Sequence, residues 1–283
     1  MKIARVGDVG SERVAVVVDD GTLRVLPESF GDVDAHFWSE GREDEIRTFL
    51  ATNPVEDIVA PSVRYGAPVA KPEKIVCIGL NYRDHANETG ATIPSEPIIF
   101  MKAPNCVIGP DDEILVPRGS TKTDWEVELG VVIGTRARYL SSPEEALNYV
   151  AGYCISHDVS EREFQLERGG QWDKGKCCET FNPLGPWLVT PDEIDDPQHL
   201  GLRLSVNGVT RQNGSTRDMV FDVAYLIWYV SQFMVLEPGD LINTGTPAGV
   251  SLGHDDVPYL KAGDVVELSI DGLGSQRSVL AQA

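Results

Sequence analysis

The chain has 283 residues, 42% of them apolar and 24% charged, and its 24 Lys and Arg against 44 Asp and Glu leave a formal net charge of −20. An apolar fraction of that size over that length supports a substantial folded core. The excess of negative charge repels phosphate backbones and anionic headgroups, so neither a nucleic-acid partner nor a polybasic membrane contact is expected.

The first residues run directly into charged and Gly-containing sequence without an apolar core segment, so no signal peptide is expected. The most apolar stretch, residues 220–236, is interrupted by Asp222, Ser231 and Gln232 and falls short of the ~20 residues that cross a bilayer. It reads as a buried helix at a subunit contact. The five cysteines (Cys77, Cys106, Cys154, Cys177, Cys178) form an odd set without CxxC spacing. Neither a disulfide framework nor a zinc site follows, and a reduced, cytoplasmic setting is expected.

In chain order, residues 14–18 and 22–26 flank Asp19-Asp20-Gly21, a hairpin signal. Residues 43–50 suit a short helix, after which Pro54, Pro61, Pro68 and Pro72 break any period. A boundary near residue 70 divides a small N-terminal β-containing domain, 1–70, from a catalytic domain, 71–283. Strand-like runs follow at 75–80, 98–101, 127–133, 152–157, 202–206 and 265–270, with helices near 143–150, 161–168 and 220–233. The count predicts a strand-rich α+β fold rather than alternating βαβ units.

Strand period puts Asp124, Glu126 and Glu128 on one face and Trp125, Val127 and Leu129 on the other. A solvated acidic face is the ordinary explanation. Two carboxylates ~6 Å apart repel by about 3 kcal/mol at an effective dielectric of 20, a cost that no cation among residues 123–135 offsets and that a bound divalent ion would reverse. Asp158 follows an extended run ending at His157, and Ser160 with Glu163 forms an S-x-x-E capping box, so Asp158 is expected at a strand-to-helix turn. Three carboxylates are hard oxygen ligands, suited to Mg²⁺ or Mn²⁺. His157 reads as a structural neighbour.

In residues 79–88 Asn81 is a candidate cap for a short helix ending near Gly90, on which His85 and Glu88 share a face. Such a pair is either a surface ion pair or an imidazole equipped to take a proton from water. In a chain this acidic an anionic substrate needs local positive charge, which makes Lys176, Lys102 and Arg83 candidates to meet it. Cys177 and Cys178 read as packing residues.

The stretches Gly79-Leu80-Asn81-Tyr82-Arg83-Asp84-His85, Phe100-Met101-Lys102, Asp124 to Gly130, His157-Asp158-Val159-Ser160 and Thr244-Gly245-Thr246-Pro247-Ala248-Gly249-Val250 together resemble the fumarylacetoacetate hydrolase superfamily, in family order. Residues 157–170 are similar to the branch of 2,4-diketo-3-deoxy sugar-acid hydrolases and of members labelled ureidoglycolate lyase. The resemblance implies a mixed β-roll catalytic domain, a homodimer, and Mg²⁺ or Mn²⁺ held by Glu126, Glu128 and Asp158. It carries a His-Glu dyad onto His85 and Glu88, an active-site lysine onto Lys176, and substrate contacts onto Arg162, Gln165 and Thr246. The activity it implies is metal-dependent hydrolysis of a carbon-carbon bond in a 2,4-diketo acid, yielding pyruvate and a carboxylic acid. Decarboxylation of oxaloacetate, tautomerisation or isomerisation of a 2-oxo acid, and ureidoglycolate cleavage use the same kind of site. A non-catalytic metal or metabolite binder would not require the water-activating dyad.

Overall fold

The computed structural model describes residues 1–18, 22–53, 58–59, 63–254 and 256–283. The strands Arg13–Val17 and Leu23–Val25 pair antiparallel as expected of a hairpin, while its turn lies outside the described residues, as do Pro54 and Pro61.

Most strands join one large mixed sheet. Its centre is Val127–Ile133, buried at every position, between Val150–His157 on one side and Leu241–Asn243 on the other. Both faces of this strand are covered: Val127, Leu129, Val131 and Ile133 fill one, and Glu128, Gly130 and Val132 are buried on the other. The sheet continues through Ile75–Gly79, parallel to Leu241–Asn243, to Ile98–Lys102 at one edge. On the other side it passes through Asn182–Val189 to Lys2–Val6 and the hairpin. The N-terminal strands are therefore continuous with the main sheet, and treating residues 1–70 as a separate small domain is a proposal.

A second, five-stranded sheet is formed by Gly201–Val206, Val209–Ser215, Val265–Ile270, Gly274–Gln282 and Ile114–Val116. Gln276 ties the two together by donating from Nε2 to the backbone oxygens of Ile155, 2.9 Å, and Gly185, 3.0 Å. The fold is strand-rich α+β, as its pattern predicts.

The helix expected at 43–50 forms over Arg42–Thr52, whereas the later ones are shorter or tighter than expected. Residues 143–149 form a 3₁₀ helix, and the apolar helix covers Val223–Ser231, with Asp222 accepting from Tyr225 N at its start. The capping box does not form. Ser160–Glu161 instead pair with Thr123–Asp124, and a single π-turn, Glu163–Glu167, follows, its first turn held by Glu161 accepting from Phe164 N. Among the described residues no helix is long and apolar enough to cross a membrane.

Candidate active site

Antiparallel register builds the acidic centre. Val127 pairs with His157, so the next step outward sets Glu126 opposite Asp158, and Asp158 N donates to Glu126 O at 3.1 Å. One oxygen from each of Glu126, Glu128 and Asp158 lies within 4.8 Å of the others, and all three residues are buried. Asp124 does not share their face, because the strand is interrupted between Asp124 and Val127. Its carboxylate instead accepts from Arg162 Nε at 2.8 Å and from the backbone N–H groups of Trp125, Ser251 and Leu252.

Burying these carboxylates is offset by cations from distant segments. Lys176 Nζ donates to Glu126 Oε2 at 2.7 Å and Asp158 Oδ2 at 2.9 Å. Lys102 Nζ donates to Asp158 Oδ1 at 2.5 Å and to Val159 O at 3.0 Å. Arg162 Nη2 lies 2.7 Å from Glu126 Oε1, a charge contact without hydrogen-bond alignment. Burial disfavours the Glu126 anion, yet Lys176 and Arg162 outweigh it and hold its carboxyl well below the usual carboxylate range. Glu128 behaves in the opposite way. Burial, then the charges of Asp158 and Glu126, push it well above that range, and among the described residues it has no ion pair, only a hydrogen bond from Gly245 N at 2.8 Å.

This donor set fits Mg²⁺ or Mn²⁺: three buried carboxylates present hard oxygens to one point, and each retains lone pairs beyond those its hydrogen bonds use. Glu128, buried without a cationic partner, is the group such an ion would compensate. The neighbouring His157 is fully buried, and burial followed by Lys102 pushes it down to about 3, so it is a neutral packing residue.

The dyad lies across the cavity. His85 and Glu88 sit on the helix Arg83–Glu88, with His85 Nδ1 3.0 Å from Glu88 Oε1. Glu88 also accepts from Gly249 N and contacts His254 Nε2 at 2.9 Å. Burial opposes ionisation of Glu88, but the hydrogen bonds from His85, His254 and Gly249 lower its pKa. Gly249 is required there: its φ is +109°, and a Cβ would meet Arg211 O at 1.9 Å. Asn81 does not cap the helix. Its side chain bonds Phe221 and Thr244, fixing the approach of the helix to the sheet.

His85, Glu126, Glu128, Arg162, Gln165, Lys176 and Thr246 line one cavity. Glu88 and Asp158 stand behind it, each bonded to a lining residue. Arg83 and Lys102 do not reach the wall as substrate contacts. The exposed Arg83 donates to Met219 O at 2.9 Å, and Lys102 is enclosed behind Asp158. Sequence reasoning missed His254, Asp124 as a brace for Arg162, and Trp172, which forms part of the wall. His254 and Trp172 lie in no motif with a chemical spacing, and the alternation of the acidic run put Asp124 on the wrong face.

A buried, metal-competent carboxylate trio and a histidine-glutamate pair serving one cavity on a strand-rich scaffold make an enzyme site. The family model described as fumarylacetoacetate (FAA) hydrolase C-terminal matches residues 74–281, and the chain belongs to that family. A protein of Burkholderia multivorans, provisionally named a hydrolase, is 51% identical over 98% of this chain and 97% of its own. The maleylpyruvate hydrolase of Sphingobium sp. SYK-6, solved with manganese(II) and pyruvate, superposes with a TM-score of 0.82 at 29% identity, covering 100% of both chains. A 5-carboxymethyl-2-hydroxymuconate delta-isomerase of Mycobacterium smegmatis matches with a TM-score of 0.79 at 30% identity over 100% of this chain and 99% of its own.

Proposed function

We propose that the protein hydrolyses a carbon-carbon bond of a 2,4-diketo acid, releasing pyruvate and a carboxylic acid, with Mg²⁺ or Mn²⁺ held by Glu126, Glu128 and Asp158. The observation that carries this reading is that the buried trio and the His85–Glu88 pair serve one cavity. When bound, the ion supplies Lewis-acid polarisation of the substrate's oxygens.

The chain's own groups account for the rest. Glu88 accepts from His85 Nδ1–H, which fixes the tautomer and leaves Nε2 with its lone pair. Nε2 takes a proton from the water that attacks the 4-oxo carbon, forming a C4–O bond. The C3–C4 bond then breaks, its electron pair passing to the pyruvate fragment, which takes up a proton at C3. Lys176, held between Glu126 and Asp158, offsets negative charge on the departing fragment's oxygen. Gln165 and Thr246 are proposed as substrate contacts from the wall, and Arg162 as the brace that aligns Glu126.

A second reading, decarboxylation or isomerisation of a 2-oxo acid, is favoured by the similarity to the delta-isomerase and needs no activated water. Product analysis separates the two. Incubation with acylpyruvates should give pyruvate and the matching carboxylic acid in equal amounts; carbon dioxide from oxaloacetate, with intact diketo acids, would select the second reading. We also propose a homodimer in the cytoplasm. The free cysteines fit that compartment, and the exposed Phe233 beside Tyr229 on the apolar helix is a surface for a second copy, checked by light scattering.

A further inference from the structure

The cavity encloses about 190 Å³, and its lining combines two chemistries. Besides the carboxylates and their cations it includes Ile78, Leu80, Phe100, Leu166, Trp172 and Leu252. Trp172 meets Phe100 edge-on, ring centroids 5.4 Å apart. It packs so closely on the strand that a Cβ at Gly79 would lie 2.6 Å from its Cζ3, so the glycine makes room for the indole.

Several polar groups near this wall are already engaged. Arg162 holds Asp124, Gln165 and Glu126; Thr246 Oγ1 donates to Val127 O and accepts from Gln212; Thr89 Oγ1 donates to His85 O. A polyhydroxylated chain entering here would lose its water and gain fewer partners than it has hydroxyls, at a cost for each one left unpaired.

Charge gives a second, independent constraint. With Glu128 ionised, four buried carboxylates (Asp124, Glu126, Glu128, Asp158) meet three buried cations (Lys102, Arg162, Lys176), one net negative charge. A divalent ion changes this to one net positive charge, which a single substrate carboxylate neutralises. A second carboxylate would carry the site past neutrality, and the apolar part of the lining, Ile78, Leu80, Leu166, Trp172 and Leu252, offers it no opposite charge.

We infer that the substrate is a diketo monoacid whose acyl group beyond the 4-oxo carbon is apolar, alkyl or aryl, and that the Trp172 wall selects it over sugar-derived and dicarboxylic diketo acids. The inference rests on the reading proposed above.

The test is binding of unbranched 2-oxo monoacids, from pyruvate to 2-oxooctanoate, to the Mg²⁺-loaded protein by calorimetry. Affinity should rise about fourfold for each methylene buried. 2-Oxoadipate should bind at least tenfold more weakly than 2-oxohexanoate, which has the same number of carbons. Trp172→Ala should flatten the series and Trp172→Phe preserve it. Should Trp172→Ala not fold, Leu166→Lys, at a position 41% exposed, should shift preference toward 2-oxoadipate. A flat wild-type series, or tighter binding of the diacid, overturns the inference. Pyruvate release is scored separately: its absence with every diketo acid defeats the proposed function, whereas a flat series with release intact defeats only the apolar subsite.

Discussion

The two halves of the site are held in place by different physics. The acidic corner is knitted into the core by charges from separate segments: Lys102 at a strand end, Asp124 and Glu126 before the central strand, Asp158 and Arg162 after its neighbour, and Lys176 on a short helix. The dyad stands on a six-residue helix without a side-chain N-cap, and Glu88 is steadied by one loop through Gly249 and His254. Breaking a buried charge network costs stability, whereas removing His85 leaves Glu88 still bonded to Gly249 N and His254. Changes in the corner should therefore appear in the fold, and changes in the dyad in the chemistry.

The largest expected effect is at the dyad. His85→Ala should reduce pyruvate release from a diketo acid about 10²- to 10⁴-fold with little change in Tm. Decarboxylation of oxaloacetate should fall less, and equal losses in the two assays would remove His85 from the role of base. In the corner, Asp124→Ala strands the Arg162 guanidinium in a buried site and should lower stability by about 3–5 kcal/mol in denaturant titrations. An unchanged midpoint would mean that the network is not structural.

Glu128→Gln sharpens the contrast within the corner itself. It should weaken Mn²⁺ binding by about 100-fold or more, measured by calorimetry. Because Glu128 is the carboxylate without a cation, the metal-free variant should be as stable as wild type or more so. The pH sign follows. A carboxyl whose folded pKa is raised above its unfolded value loses stability as pH rises from the unfolded pKa toward the folded one. Metal-free wild type should thus decline over that window more steeply than Glu128→Gln, and parallel profiles would contradict the assignment. The smallest effect is His254→Ala, at a side chain 38% exposed, with a loss of no more than about fivefold in turnover. Glu88 raises the pKa of His254, so this contact is fully present below the unfolded histidine pKa and is lost as pH rises through the folded one. A larger loss would promote His254 to a full partner of the dyad.

Much of this was legible because strand pairing is periodic. The run 127–133 forms a strand with those bounds, and the trio follows from pairing it with the strand ending at His157. What escaped depended on distant segments. Asp124 leaves the acidic face because Thr123–Asp124 pairs with Ser160–Glu161, which also consumes the capping box. The cations that neutralise the trio lie outside residues 123–135, and His254 reaches Glu88 across 166 positions. Asn81 looks like a cap locally, yet it ties the loop before the helix to Phe221 and Thr244. Side-chain ties of this kind have no sequence period.

The central claim is that the acidic corner works through a divalent ion in carbon-carbon bond hydrolysis. The most direct measurement is pyruvate release from an acylpyruvate by protein stripped with EDTA and then supplied with Mg²⁺ or Mn²⁺. Release should stop on stripping and return with either ion in wild type, and should not return at the same ion concentration in Glu128→Gln. Full activity in protein shown to be metal-free would contradict it.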